Sequence, residues 1–418
     1  MKIEKSASLG SLAWKKIRRN KLTMFGLFVI AFFMLIAFLG YSIMPYDSPN
    51  ANDMKAEISL KEPGFQVKML KIRRDEPIPN EGFLSRMFFG RTAIYDKEPI
   101  LNYQFADNDV LVTLYPGDNF SSQRQNRRII TKRYNLAEVA FATGNNSINS
   151  DEKNSIISFY DLDMKKQVTK TVKELRLIIE KNHIITQTFL MGTDKSGRDM
   201  LSRLIIGTRI SLAVGIISVI ISIFLGVFFG ALGGFFGGKI DEAVMWIINV
   251  VWSLPTLLLV VAITFALGKG FWQVFVAVGL TMWVDAARIV RGQVLSIREK
   301  EFVEAGRALG FRNFRIIARH VLPNIYGQVI VVAASNFASA IITEASLSFL
   351  GFGAQPPMVS WGKMIRDHIN YIDNSATVYL PIVPGIAIMM LVLAFLLFGN
   401  GLRDALDTRS TSSEAMVG

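Results

Sequence analysis

The sequence predicts an all-α polytopic membrane protein of six transmembrane helices. Both termini are expected in the cytoplasm, with a small mixed α/β insert outside the membrane between helices one and two. Two observations lead to this fold class: only 19% of the 418 residues are charged, against about 25% in soluble domains, and six long stretches carry no charge. Because a bilayer core needs ~20 apolar residues per helix, these stretches exclude a soluble enzyme and a β-barrel. The stretches are Leu22–Tyr46, Ile210–Gly238, Ala243–Gly268, Gly270–Val284, Val321–Thr343 and Asn374–Leu402.

The N-terminal segment, residues 1–21, carries seven lysines and arginines against a single acid, Glu4. The apolar stretch after it is longer than the 7–15-residue core of a cleaved secretory signal, and no small-residue cleavage site follows. We therefore predict an uncleaved first transmembrane helix at 22–44, with a cytoplasmic N-terminus. Ala7–Ile17 is either a short amphipathic helix on the membrane or a plain basic tail that sets the orientation.

The charge of the short loops agrees with this orientation. Arg288–His320 holds eight lysines and arginines against three acids, and crossing the membrane in order places it in the cytoplasm, together with Lys239–Glu242. The turns expected outside, near Lys269 and at Gly351–Asp373, are poorer in basic residues. Gly270–Val284 has only 15 residues and spans the membrane if Asp285 lies near a membrane face.

Residues 45–205 differ in character and are predicted to form the extracytoplasmic insert. Asp47–Ile205 holds 24 basic and 21 acidic residues, and β-branched and aromatic segments alternate with turn residues, a pattern typical of strands. Val168–Lys181 has the periodicity of an amphipathic helix. The alternative is a poorly ordered loop, but the apolar content favours a folded domain. The predicted strands are Val110–Tyr115, Ile129–Tyr134, Ile156–Tyr160 and His183–Phe189.

Gly192–Asp199 has the G-x-x-x-x-G spacing of a phosphate-binding loop. The next pair should be Lys-Ser or Lys-Thr, but it is Arg198-Asp199, so the phosphate-binding lysine and the magnesium hydroxyl are missing. We therefore predict a transport subunit without its own ATPase motif, not an enzyme, with no catalytic residues. The chain has no cysteine and three widely separated histidines, so no metal site is predicted.

The predicted cytoplasmic loop at 292–323 contains the most specific pattern in the chain. Glu304 opens a helical segment of small residues, and Gly310 suits the position just after a helix, where a left-handed backbone is required. Phe311, Phe314 and Ile317 predict a second short amphipathic helix, and Pro323 marks the start of the next span. The loop is either a helix presented to a groove on a partner protein or an ordinary basic loop.

These residues resemble a known family. Glu304–Gly310, followed after a spacer by Leu322-Pro323, is similar to the "EAA" loop of permeases from bacterial ATP-binding-cassette importers, with Gly306 where alanine is usual and His320 where an aliphatic residue is common. Further segments resemble the C-type dipeptide and oligopeptide permeases, so the match covers roughly 10–47 and 190–409 and leaves 48–188 as an insertion. These segments are Pro45–Asp47, Gly192–Arg203, Arg209–Gly215, Glu344–Trp361 and Gly401–Asp407.

The resemblance implies a subunit of the bacterial inner membrane that pairs with a different permease subunit. It also implies two ATPase subunits that hold ATP-Mg, an extracytoplasmic substrate-binding protein, no cofactor on this chain and no nucleic acid. Related permeases carry dipeptides, oligopeptides or nickel complexes. The transmembrane domain would occupy 206–407 and a cytoplasmic tail 408–418. The resemblance assigns coupling to the ATPase to six residues: Glu304, Ala305, Gly306, Gly310, Leu322 and Pro323.

Glu344 follows a long apolar stretch, and an acid inside the membrane is a candidate for a translocation pathway, although a structural role is the alternative. Asp285 and Arg288 are spaced for an ion pair on one helix.

An ion-coupled secondary transporter of small solutes is the alternative function. It would show internal repeats and acids at the middle of the membrane, and neither is clear here.

Overall fold

The computed structural model describes residues 9–46, 51–78, 82, 85–87, 90, 92–117, 130–144, 148–151, 155–268, 270–353, 355 and 357–406. The predicted tail at 408–418 and the first eight residues of the predicted N-terminal segment lie outside the described residues. The chain forms two compact units. One comprises Met1–Ala37, Gly207–Ile369 and Pro381–Gly418, and the other comprises Phe38–Ile206 and Asn370–Leu380.

The secondary structure is mostly helical, with a smaller β region between the second and fifth helices. The helices are α1 Leu9–Arg19, α2 Lys21–Ile43, α3 Leu136–Ala140, α4 Val172–Ile178, α5 Met200–Phe236, α6 Gly238–Trp252, α7 Thr256–Leu267, α8 Phe271–Arg298, α9 Glu301–Ala308, α10 Asn313–Ile316, α11 Leu322–Leu350, α12 Trp361–His368 and α13 Tyr379–Leu406. The strands are β1 Phe65–Arg73, β2 Tyr95–Ala106, β3 Asp109–Leu114, β4 Thr131–Asn135, β5 Asn149–Asp151, β6 Ile156–Asp161, β7 Lys166–Thr171 and β8 Ile184–Phe189.

Among the described residues, five helical segments are long and apolar enough to cross a membrane, and a sixth span is possible if α6 and α7 count as one. The predicted third span, Ala243–Gly268, is not a straight helix, because α6 and α7 meet at a bend of 95°. The bend lies at Ser253–Pro255, where proline lacks the amide hydrogen that a continuous helix requires. The short fourth stretch belongs to a much longer helix, α8, which includes Asp285.

Glycines on α5 bring its backbone close to that of α8. Gly226, Gly230 and Gly234 recur at every fourth position and therefore lie on one face. A Cβ added at Gly226 would lie 3.0 Å from the Ala287 amide nitrogen, and one added at Gly230 would lie 2.5 Å from the Ala287 carbonyl oxygen. A Cβ added at Gly234 would lie 2.8 Å from the Arg291 carbonyl oxygen. Small residues are thus required for this helix contact.

The second unit contains a five-stranded antiparallel sheet in the order β4-β3-β2-β1-β8 and a three-stranded sheet in the order β5-β6-β7. The four predicted strands correspond to β3, β4, β6 and β8. Both sheets share one core with α3 and α4. Its fully buried members include Leu70, Ile100, Val110, Val112, Leu136, Val139, Ile157, Phe159, Leu175 and Ile179.

The predicted helix at Val168–Lys181 is wrong over its first four residues. Lys166–Thr171 pairs with β6 as strand β7, and the helix begins only after Thr171. The Thr171 hydroxyl accepts from the Glu174 amide at 3.2 Å, and the Glu174 carboxylate accepts from the Thr171 amide at 3.3 Å. This reciprocal capping box fixes the start of α4, because it satisfies amides that the helix leaves without partners.

The candidate coupling loop

Helix α9 forms the centre of the loop, and its ends are defined by local chemistry. Glu301 and Glu304 lie in the first turn, where negative charge is favourable beside the helix N-terminus. At the other end the Gly310 amide donates to the Arg307 carbonyl at 2.9 Å and the Phe311 amide to the Gly306 carbonyl at 3.1 Å. This is a Schellman motif, and Gly310 has the left-handed φ of +75° that the motif requires, as the sequence predicts.

Gly306 faces the interior of the loop. It is buried, and an added Cβ would lie 3.7 Å from Phe311 and 3.7 Å from Ile316, which are ordinary packing distances. The loop itself therefore covers Gly306, and this position does not lie on the exposed side of α9. The same geometry leaves room for the alanine that is usual in the family.

The outer surface of the loop exposes large apolar side chains. Leu309 is 72% exposed and Phe314 is 81% exposed, and Phe302 on α9 is exposed as well. The predicted second amphipathic helix is not a separate helix, because α10 continues through a π-helical turn into α11. Its predicted apolar face is not formed either, since Phe314 is exposed while Ile317 is buried. Glu304 and Ala305 are also exposed beside these groups. We call Phe302, Leu309 and Phe314 the outer apolar surface.

The inner side of the loop packs on α5 and α8. One cluster joins Ala231 and Phe235 of α5, Val290 and Val294 of α8, and side chains of the loop. These shared apolar contacts hold the loop against two long helices. The loop members of this cluster include Val303, Phe311, Ile316, Ile317, Val321 and Leu322.

The second half of the loop continues into α11 without a break. Residues Ile317–Val321 form one π-helical turn, and Leu322-Pro323 begins the α-helix with proline in its first turn, where no amide partner is needed. His320, the unusual residue of this segment, stacks on Phe311 with ring centroids 6.2 Å apart. On the same ring, the Arg315 guanidinium lies 4.4 Å from the centroid.

Charged groups connect the helices beside the loop. Arg291 of α8 pairs with both carboxylate oxygens of Asp241 on α6, and its Nη2 lies 2.5 Å from Oδ2. Arg298 donates to the Gly234 carbonyl of α5 at 3.2 Å. Arg288 stacks at 3.6 Å over the ring of Trp252. This contact takes the place of the expected pair with the exposed Asp285, because a guanidinium is attracted to the electron-rich face of an indole ring.

Glu344 lies in α11 and is 1% exposed. The Ser348 hydroxyl donates to its Oε1 at 2.6 Å, and the Ser360 hydroxyl donates to Ser348 at 3.1 Å. The other carboxylate oxygen, Oε2, is buried and has no hydrogen-bond partner among the described residues. Within its unit Glu344 therefore does not open onto a surface, and the geometry fits the structural role better than a pathway.

Sequence reasoning missed a buried polar network at the centre of the helical unit. The Asn336 side-chain amide on α11 donates to the Ser222 hydroxyl of α5 at 2.8 Å and to the Met282 carbonyl of α8 at 3.3 Å. Ser222 donates to the same carbonyl at 2.9 Å. The available signal was an asparagine inside a long apolar stretch, since polar groups inside a membrane are rare and usually paired.

The segment that has phosphate-loop spacing is a closed turn in the second unit. The Asp194 carboxylate accepts from the amides of Ser196 at 2.8 Å and Arg198 at 3.0 Å, and its other oxygen lies 2.6 Å from the Arg198 Nε. An internal carboxylate thus fills the position where such a turn would receive an anion. Nearby, burial raises the pKa of Asp199, although Ser202 donates to it.

Comparison with known proteins gives two family matches, one before strand β1 and one after strand β8. Residues 222–412 match the family "Binding-protein-dependent transport system inner membrane component", and residues 8–63 match "N-terminal TM domain of oligopeptide transport permease C". Neither family match covers residues 64–221.

Individual relatives show strong sequence similarity. The oligopeptide transport system permease protein OppC of Escherichia coli K12 is 45% identical over 218 residues, which are 52% of this chain and 72% of OppC. The glutathione transport system permease protein GsiD of Pectobacterium atrosepticum is 40% identical over 222 residues, 53% of this chain and 73% of GsiD. A structure of the inward-facing MetNI methionine ABC transporter covers 50% of this chain and 97% of its own, at 21% identity and a TM-score of 0.41.

Proposed function

Because this chain belongs to the peptide-permease family of ATP-binding-cassette importers, we propose that it forms, with a second and different permease subunit, a pathway for peptides across the bacterial inner membrane. The names of its relatives refer to oligopeptides and to glutathione, itself a short peptide. The observation that carries the proposal is the structure of the coupling loop. Helix α9, which Gly310 terminates, exposes an apolar surface on one side of the loop, and the other side packs against the long helices α5 and α8.

In this proposal the outer apolar surface enters a cleft on an ATPase subunit. Glu304 and Ala305 lie beside that surface, Gly306 and Gly310 shape α9, and Leu322-Pro323 joins the loop to α11. ATP and magnesium are bound by two partner ATPases. When these close on ATP, the loop moves as a unit with α5 and α8 and changes which side of the membrane the pathway faces. This is a two-state switch driven by differential binding of ATP.

The proposed topology keeps residues 1–21, the loop at 292–323 and the tail at 408–418 in the cytoplasm, and places the insert at 45–205 outside, where a substrate-binding protein would also dock. The absence of native cysteine makes labelling simple. Ser155→Cys in the insert should react with an impermeant maleimide added from outside. Arg312→Cys in the loop should react only after the membrane is opened. The opposite pattern would reverse the topology.

Transport by the assembled complex tests the proposed function directly. The full complex in proteoliposomes should take up a labelled peptide when ATP and the binding protein are present. It should not do so with an ion gradient alone. Uptake by this chain without ATPase subunits, driven by a gradient, would contradict the proposal and support an ion-coupled transporter.

A further inference from the structure

Helix α1 stops where a membrane span begins. Asn20 separates the two helices, and its side-chain oxygen accepts from the amides of Leu22 at 3.0 Å and Thr23 at 3.2 Å, which starts α2. Lys21–Ile43 is one of the candidate membrane spans. The last turn of α1 is therefore at the level of the membrane surface, whichever face of the membrane that is.

The two sides of α1 differ sharply. Ala13 and Ile17 are buried. The neighbouring side carries two pairs of residues at i and i+4, Trp14 with Arg18 and Lys15 with Arg19, so the four side chains form adjacent columns. All four are exposed, and together they line an open cleft of about 500 Å³.

We propose that this cleft binds the phosphate group of an anionic phospholipid. Arginine presents a planar fork of donors that matches phosphate oxygens, and two arginines and a lysine surround the cleft, while the helix itself contains no acid to neutralise them. The Arg18 guanidinium lies 5.1 Å from the centre of the Trp14 ring, which orients the cation. Tryptophan also prefers the headgroup level of a bilayer. These features favour a lipid headgroup over free phosphate.

A simple orientation signal would require only the number of positive charges near the span. A lipid site requires these particular side chains. The two explanations differ in what they predict for a variant that keeps the charge and changes the donor geometry. Arg18→Lys with Arg19→Lys retains every charge, so orientation is preserved, but lysine cannot bind phosphate through a fork.

The test measures lipid binding to the detergent-solubilised full-length chain. Native mass spectrometry monitors the bound lipid while phosphatidylglycerol or phosphatidylcholine is titrated in. We expect retention of phosphatidylglycerol only. Each cation removed should weaken binding about fivefold, so Lys15→Ala with Arg18→Ala and Arg19→Ala should weaken it about a hundredfold. The Arg18→Lys/Arg19→Lys variant should lose affinity by a smaller factor, and inorganic phosphate should not displace the lipid.

The matched control removes three exposed lysines from the second unit, as Lys166→Gln, Lys173→Gln and Lys181→Gln, and should bind phosphatidylglycerol as the natural chain does. Unchanged binding by the alanine variant would overturn the proposal, as would full affinity in the charge-preserving variant. Equal retention of phosphatidylcholine would also overturn it. Displacement by inorganic phosphate would show that the cleft recognises free phosphate and not a lipid.

Discussion

At the residue scale, two glycines of the coupling loop have different requirements. Gly310 needs a left-handed backbone, and this could be predicted from sequence because glycine directly follows a helical pattern. The direction in which Gly306 faces could not be predicted, since it depends on Phe311 and Ile316 folding back over α9. The backbone conformation of a residue can thus be predicted from its neighbours in sequence. The surface that a residue packs against depends on contacts with residues farther along the chain.

These glycines give a matched pair of substitutions. Gly310→Val forces a β-branched side chain into a left-handed backbone, which should cost about 1–3 kcal/mol and shift the end of α9. Gly306→Ala should be tolerated, because the added methyl meets Phe311 and Ile316 at 3.7 Å. Thermal unfolding and ATPase co-purification would measure both. Equal loss in the two variants would show that the loop tolerates no change, whatever the backbone geometry.

A buried histidine predicts how stability of the second unit depends on pH. Burial lowers the pKa of His183, while its Nδ1 lies 2.7 Å from the Lys71 carbonyl oxygen. The unfolded chain, with a pKa of about 6.5, therefore takes up a proton before the folded one does. The stabilising contribution is complete above that pH and is lost as pH falls through the lower, folded-state pKa.

The expected result is that the natural chain loses stability between pH 7 and pH 5 more steeply than His183→Gln. Glutamine can still donate to the carbonyl but does not titrate. Thermal unfolding curves recorded at several pH values would show the difference. Parallel pH profiles for the two proteins would mean that His183 does not contribute to the acid sensitivity.

At the element scale, hairpin strands with β-branched residues were predictable, and so was the helical segment around Glu304. Strand β1 was missed, because Met69 and Leu70 are adjacent and both buried, which breaks the alternation that Val67, Lys68 and Met69 begin. The start of α4 was misplaced, because the Thr171 capping box outweighs an apolar periodicity that continues into β7. At Pro255 a single residue has the larger effect, because it divides an otherwise uniform apolar stretch into two helices.

The outer apolar surface of the loop predicts which side chains dock on a partner. Leu309→Glu should weaken ATPase binding about tenfold or more, because an unpaired carboxylate would enter an apolar contact. Leu177→Glu is the matched control: Leu177 is 66% exposed, similar to Leu309, but lies on α4 in the second unit. Titration of each variant complex with purified ATPase gives the affinities. Normal binding by Leu309→Glu would exclude this surface as the docking site.

At the scale of the whole molecule, apolar stretches and resemblance were enough to predict a polytopic permease with an additional domain. The details of the added domain could not come from resemblance, since neither family match reaches residues 64–221. The structure brings the two ends of this segment together. Phe65 pairs directly with Phe189, and the Gly64 amide donates to the Phe189 carbonyl at 2.9 Å, so the domain leaves and rejoins the chain at one place.

Excision of the domain should therefore be compatible with membrane insertion. A short Gly-Ser linker can replace residues 65–189, because it needs to span only the distance between neighbouring strands. The shortened chain should insert and retain its ATPase subunits, as measured by co-purification and by maleimide labelling of Arg312→Cys. Loss of insertion would mean that the domain is part of the membrane unit and not an addition to it.

The most direct measurement for the central claim is a site-specific cross-link from the loop in the assembled complex. Ala305 is exposed on α9, and the chain has no other cysteine to interfere after Ala305→Cys. A short photoactivatable maleimide at this position should cross-link to an ATPase subunit, whereas the same reagent on Lys181→Cys in the second unit should not. A complex that contains the ATPase but gives no adduct from position 305, or an adduct only from position 181, would contradict coupling through this loop.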